Sequence, residues 1–208
     1  MMMNNKIILE KLDEMIPNPK CELEYTKDYE LLIAIILSAQ TLDARVNKVT
    51  KILWQKYNLQ TLAQANINEI EDIIKPIGTY HNKAKYIIEV SKRLINEQNG
   101  VVPNDSDYIE SLPGVGHKTC NVFLSNIYNV PRIAVDTHVA RTSKRIGFVN
   151  ESDDVLTIEH KLMVIIPKNE WSRRHHQLVL FGRYICKAKK PNCSECLLNN
   201  LCQYKRKH

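Results

Sequence analysis

Four cysteines within 17 residues near the C-terminal end, Cys186, Cys193, Cys196 and Cys202, constrain this chain more than any other feature; their spacing is CX6CX2CX5C. Soft thiols packed this tightly argue for a metal centre rather than disulfides. Zinc sites usually come as two CX2–4C pairs, and here only Cys193 and Cys196 form such a pair. A compact four-cysteine loop suits a [4Fe-4S] cluster instead. Cys21 and Cys120 fall outside the spacing and read as ordinary core thiols.

The metal loop lies inside a basic segment. From Arg183 to His208 the bases are Arg183, Lys187, Lys189, Lys190, Lys205, Arg206 and Lys207, against the single acid Glu195, so this stretch holds the whole net charge of +6. A folded loop that offers Lys187, Lys189 and Lys190 suggests a polyanionic partner; a solvated basic tail is the alternative.

The rest of the chain reads as helix. It has 208 residues but only 6 glycines, and its apolar residues recur at helical spacing: Val46, Val49, Leu53 and Tyr57; Ile158, Leu162 and Ile165; Leu178, Phe181 and Ile185. Turn chemistry interrupts them at 17–19, 75–78, 99–103, 113–114, 130–131 and 167. The one extended piece, Ile133 to Val135, is too short to make a sheet, so the fold class is all-α. The longest apolar run, LLIAIIL at 31–37, is far short of the roughly 20 residues that span a bilayer. The N-terminal MMMNNKIILEKLDEMIP mixes both charge signs into its apolar residues, unlike a secretory signal. A cytoplasmic, membrane-free protein is expected.

LPGVGHKT, residues 112–119, carries the second motif. A glycine turn between two helices is common. Its glycines also let a ligand approach the backbone, and the following helix N-terminus favours a phosphate. The Walker pattern is absent, so a nucleic-acid backbone fits better than a nucleoside triphosphate.

Lys118 lies in the first turn of that helix, where a cation is least welcome. A free lysine is neutral in only about one molecule in a thousand at pH 7, and a nucleophilic one needs burial or a positive helix end to favour its neutral form. A phosphate-contacting lysine is the alternative. Asp136 follows 18 residues later, in IAVDTH. A helix over about 117–128 travels roughly 18 Å, and the extended return through 132–135 can bring Asp136 most of the way back. Asp136 before Thr137 and His138 is also a good N-cap, and a capping carboxylate remains ionised.

LPGVGHKT, IAVDTH and CX6CX2CX5C in this order resemble the endonuclease III family of DNA glycosylases, helix-hairpin-helix proteins with an iron-sulfur loop. The resemblance extends through LSAQTLDARVN at 37–47 and HHQLVLFGRYICKAKKPNC at 175–193. It implies two lobes: a six-helix barrel over 21–132 that ends in the hairpin, and a cluster domain of 1–20 with 133–208, with substrate entering between them. It further implies a bifunctional glycosylase and AP lyase acting as a monomer on damaged pyrimidines in double-stranded DNA, with Lys118 as nucleophile and Asp136 as the opposing acid. Leu112, Gly114, Val115, Gly116 and His117 would hold a phosphate. Gln40 would fill the gap left by the extruded base. The loop carrying Thr79 and Tyr80 would wedge the other strand, although the family commonly has a bulky apolar residue where this chain has Thr79, which leaves Ile77 or Tyr80 as substitutes. His117 stands where the family often has arginine.

Two readings compete. Adenine-specific mismatch relatives share the fold and cluster but generally lack a lysine at position 118 and carry a further C-terminal domain. A DNA-binding module without enzymatic activity would use the hairpin and basic loop alone.

Overall fold

Scarce glycines and apolar side chains at three- and four-residue intervals leave the backbone little alternative to helix. The computed structural model describes Met2 to Tyr204, the side chains of Met2 and Met3 excepted. Among these residues it contains eleven α-helices, one short 3-10 turn, one π-helical turn and no strand. Lys205, Arg206 and Lys207 of the basic segment lie outside the described residues. No described helix is long and apolar enough to cross a membrane. The chain divides into two compact units, 22–128 and 1–21 with 129–208.

The first unit is built around α2 (Asp28–Ser38), which contains the LLIAIIL run. Every residue from Tyr29 to Leu37 is buried, as expected of a helix apolar on all faces. It packs against α3 (Asp43–Lys56), α6 (Tyr80–Gln98) and α8 (His117–Ile127). Each fully buried Leu or Ile contributes roughly 1.5–3 kcal/mol. Of the first stripe, Val46, Val49 and Leu53 are buried; Tyr57 ends α3 half-buried, its hydroxyl donating to Glu69 Oε2 at 2.6 Å. Three short helices, α4 (Leu59–Ala63), α5 (Ile67–Ile74) and α7 (Ser106–Ser111), start at Asn58, Asn66 and Asp105. Each of these side chains accepts from backbone N–H groups that a helix start would leave unpaired.

The second unit comprises α1 (Met2–Met15), α9 (Thr137–Ile146), α10 (Val155–Ile165) and α11 (Trp171–Leu180). Residues 133–135 enter as buried, extended backbone. Leu12, Val139, Ile158, Leu162, Leu178 and Phe181 share its core, with Ile165 and Ile185 packed against it. One polar network crosses that core. The Arg174 side chain is only 6% exposed and donates to Asp13, Glu170 and Gln177, which ties α1 to α11. At Asp13, burial opposes ionisation, but hydrogen bonds from Gln177, Arg174 and Arg173 outweigh it and hold the carboxyl at about 2.

Candidate functional site

The glycine turn joins α7 to α8. The Val115 N–H donates to Leu112 O at 3.1 Å and closes it. Its glycines are required for different reasons. Gly114 has φ +79, and an added Cβ would lie 2.6 Å from Tyr86 Cδ2 and 3.3 Å from Ile36 Cγ2, so both conformation and packing exclude a side chain there. Gly116 is the N-cap of α8 in extended backbone, and an added Cβ would meet nothing within 4 Å. A side chain fits at Gly116; its absence leaves the approach to the helix open. No side chain caps α8 and no acid occupies its first turn. Its leading N–H groups and the positive helix end therefore favour an anion.

Leu112 and Val115 are buried, 2% and 8% exposed. Both side chains anchor the turn in the core, which leaves their backbone groups to face a ligand. His117 is exposed: Nδ1 lies 3.1 Å from Glu110 Oε1 and Nε2 lies 3.0 Å from Asn121 Nδ2. This position thus presents a carboxylate-paired imidazole rather than a fixed cation. Lys118 is exposed in the first turn of α8. The burial expected of a nucleophilic lysine is therefore not found at Lys118.

Gln40 and Thr79 are exposed, and both are left-handed, with φ 57 each. This conformation is uncommon for non-glycine residues and a clear outlier for a β-branched one, with a strain on the order of 1–3 kcal/mol. Gln40 follows the end of α2, and Thr79 is the N-cap of α6, its Oγ1 donating to Gly78 O at 2.7 Å. Tyr80 is half-buried with its ring 4.0 Å from that of His81. Ile77 is 1% exposed, which removes it as a substitute wedge, since its side chain fills the core under the loop.

In the other unit, Asp136 is the half-buried N-cap of α9, with Oδ1 accepting from the Val139 N–H at 2.8 Å. One carboxylate oxygen is committed to the helix start. Among the described residues the other accepts no hydrogen bond.

Cys186, Cys193, Cys196 and Cys202 line one cavity together with Ile146, Phe181, Ile185 and Leu198. None of the six cysteines of the chain is in a disulfide. Among the described residues no three His, Cys, Asp or Glu side chains gather around a single ion position. Four soft thiols lining one cavity are a donor set suited to a multi-iron cluster. Burial pushes the Cys186 thiol up, with the Arg145 guanidinium opposing, and burial pushes Cys196 up as well. A cluster binds the thiolates and displaces their protons. Of the remaining two cysteines, Cys120 is buried, while Cys21 is only half-buried and is not a core thiol.

The supports of the cysteine loop were not read from the sequence. Helix α11 runs into a π-helical turn, Phe181–Ile185, that delivers Cys186. Arg141 and Arg145, one turn apart on α9, hold that end: Arg141 donates to Gly182 O at 2.7 Å and Cys186 O at 3.2 Å, and Arg145 to Lys187 O at 2.7 Å and Ala188 O at 3.2 Å. Arg145 Nη1 also lies 3.6 Å from Cys186 Sγ. Their four-residue spacing in the helix after Asp136 was the available signal. Lys187, Lys189 and Lys190 are exposed on this loop, Lys190 in the left-handed region.

Residues 33–168 match the family model of the HhH-GPD superfamily of base excision DNA repair proteins. Residues 186–202 match the iron-sulfur binding domain of endonuclease III. Endonuclease III of Bacillus subtilis is 48% identical over 94% of this chain and 90% of its own length. Endonuclease III of Escherichia coli K12 is 41% identical over 96% and 95%. A solved structure of a non-covalent endonuclease III–DNA complex is similar with a TM-score of 0.96 and 47% identity, covering 100% of this chain and 97% of that one.

Proposed function

The chain belongs to the HhH-GPD superfamily of base excision DNA repair proteins, and from that premise we propose that it removes damaged pyrimidines from duplex DNA and cuts the strand at the resulting site. The observation that carries this reading is Lys118 itself, an exposed amine in the first turn of α8, two residues after an N-cap open to a ligand backbone.

The phosphate nearest the lesion is held at the Gly114–Gly116 turn, by backbone groups and the helix end. The damaged nucleotide is extruded, at lower cost because the lesion stacks poorly. The neutral amine of Lys118 attacks C1′, and the electrons of the glycosidic bond leave with the base, which takes up a proton. The sugar ring opens to a Schiff base on Lys118. This acidifies the C2′ hydrogens, and loss of one expels the 3′ phosphate by β-elimination. The Asp136 carboxylate stabilises the positive charge developing on the sugar and assists proton removal from the amine.

Within this reading the unit 22–128 is the helix-hairpin-helix lobe and the other unit is the cluster lobe. Cys186, Cys193, Cys196 and Cys202 hold a [4Fe-4S] cluster, which when bound fixes the fold of the loop. Lys187, Lys189 and Lys190 of that loop contact phosphates. Gln40 fills the gap left by the extruded base, and Thr79 with Tyr80 meets the opposite strand. The protein works as a monomer in the cytoplasm, where DNA recruits it to the nucleoid.

A panel of duplexes, each with one defined lesion, tests the function. Release of oxidised pyrimidines with strand scission is expected. Base release without scission would leave a monofunctional glycosylase, and binding without release of any base would leave a DNA-binding module. Asp136→Asn should slow excision by about 10²- to 10⁴-fold with DNA affinity largely kept.

A further inference from the structure

The chemistry described so far leaves Lys83 unused, yet it is the most buried lysine among the described residues, at 3% exposed. It lies in the first turn of α6. Its ammonium donates to Leu37 O at 2.9 Å, Ala39 O at 2.7 Å and Thr41 Oγ1 at 3.4 Å. No carboxylate pairs with it among the described residues, and burial pushes its pKa down. Placing an ammonium there is costly, and the return is specific. The accepting carbonyls belong to the C-terminal end of α2, whose unpaired oxygens and negative dipole end suit a cation.

The segment gathered around this ammonium, residues 37–41, contains Gln40 in its left-handed conformation. The backbone N–H of the same Lys83 makes the first intrahelical bond of α6, to Thr79 O at 3.2 Å, and Thr79 is another exposed left-handed residue. One residue therefore touches the loop of Gln40 with its side chain and the loop of Thr79 with its backbone. Strained conformations persist where the surroundings over-determine them. The Thr41 N–H to Ser38 O bond at 3.0 Å and the Thr41 Oγ1 to Ala39 O bond at 3.3 Å close the first loop further.

We propose that Lys83 is a positioning residue for DNA opening: its buried ammonium ties the loop of Gln40 to the first turn of α6, whose N-cap is Thr79, so that the two loops form one preset unit that meets both sides of the gap left by an extruded base. This deepens the reading above, because it rests on Gln40 and Thr79 entering the duplex. Loops set before binding lose little freedom on contact with DNA, so the cost of opening the helix is met by fixed contacts. A lysine serves here because its three donors reach three acceptors at one point.

Two double-mutant cycles on the full, cluster-containing protein test it, read as kcat/KM on a duplex with one oxidised pyrimidine. Lys83→Met keeps an unbranched stem and removes the donors. If Lys83 acts through the loop, Gln40→Ala costs about tenfold in the parent and less than about twofold beside Lys83→Met; equal costs in both backgrounds overturn the proposal. The second cycle pairs Gln40→Ala with Thr79→Ala and leaves Lys83 in place, so it does not depend on how Lys83→Met folds. The combined loss should fall short of the product of the single losses by about threefold or more, and multiplicative losses overturn the proposal. Cleavage of an abasic site in single-stranded DNA, where no base has to be extruded, separates positioning from general structure. Lys83→Met should lose far less there than on the duplex, and parallel losses overturn the positioning role. Parent protein inactive on both substrates would sink the reading of the enzyme and the inference with it, whereas full activity with additive cycles sinks the role of Lys83 alone.

Discussion

The hairpin turn and the cysteine loop are both short motifs, but they are held in opposite ways. The hairpin is supported by its surroundings in the core: Gly114 lies against Tyr86 and Ile36, and Leu112 and Val115 are sunk beneath it. The cysteine loop sets Cys186 and Leu198 into the core of its unit, but polar groups hold its backbone. Its first ligand arrives on a π-helical turn, and two arginines some 40 positions earlier in the chain grip its backbone. Close packing makes a turn that one methyl group can break. Polar supports and a metal make a loop sensitive to charge, pH and chelators.

The largest expected effect is at the hairpin. Gly114→Ala combines a left-handed backbone with a Cβ 2.6 Å from Tyr86, and should cost about 3 kcal/mol in denaturant unfolding. A loss below about 1 kcal/mol would mean that the turn yields easily and the contrast is false.

Next comes the polar network under α11. The Asp13 carboxyl lies at about 2 against an ordinary 3.8. Because its folded value is depressed, its contribution is present above the unfolded value and is lost as pH falls from about 4 towards 2. The side chain is 37% exposed, so screening reduces that contribution to about 1–2 kcal/mol. Asp13→Asn should cost that much at pH 7 and almost nothing near pH 2 in parallel unfolding titrations. A pH-independent cost would show that the group acts by packing alone.

Arg145→Met should leave unfolding of the first unit unchanged while the visible absorbance of the cluster decays about tenfold faster under a chelator, as for other groups that hold metal ligands in place. Equal decay would place the support of the loop elsewhere. The smallest effect is Gly116→Ala, about 0.5 kcal/mol or less in stability because its backbone is extended and its surroundings open. DNA affinity should nevertheless fall, since the added methyl group stands on the approach to the helix end. A stability loss like that of Gly114→Ala would erase the distinction between the two glycines.

The same contrast explains what could be read in advance. The all-helical class followed from spacing and scarce glycine, and α8 ends at Ile127, one residue short of the span expected for it. The cysteine spacing marked the residues that line the metal cavity because all four are local in the chain. Side chains whose importance depends on distant partners were invisible: Lys83 reads as a solvated cation on an amphipathic helix until α2 is brought to it from more than forty residues away. Arg141 and Arg145 were hidden for the same reason. Ile77 was misjudged because a loop residue next to a proline gives no sign of which way it faces.

The central claim is that the amine of Lys118 becomes covalently joined to the sugar it attacks. Borohydride reduction during turnover on a duplex with an oxidised pyrimidine, followed by mass spectrometry of the digested adduct, reads this directly. The account predicts a deoxyribose-derived adduct on the peptide containing Lys118 and its loss in Lys118→Ala. Base release with no trapped adduct, or an adduct that persists in Lys118→Ala, would contradict it.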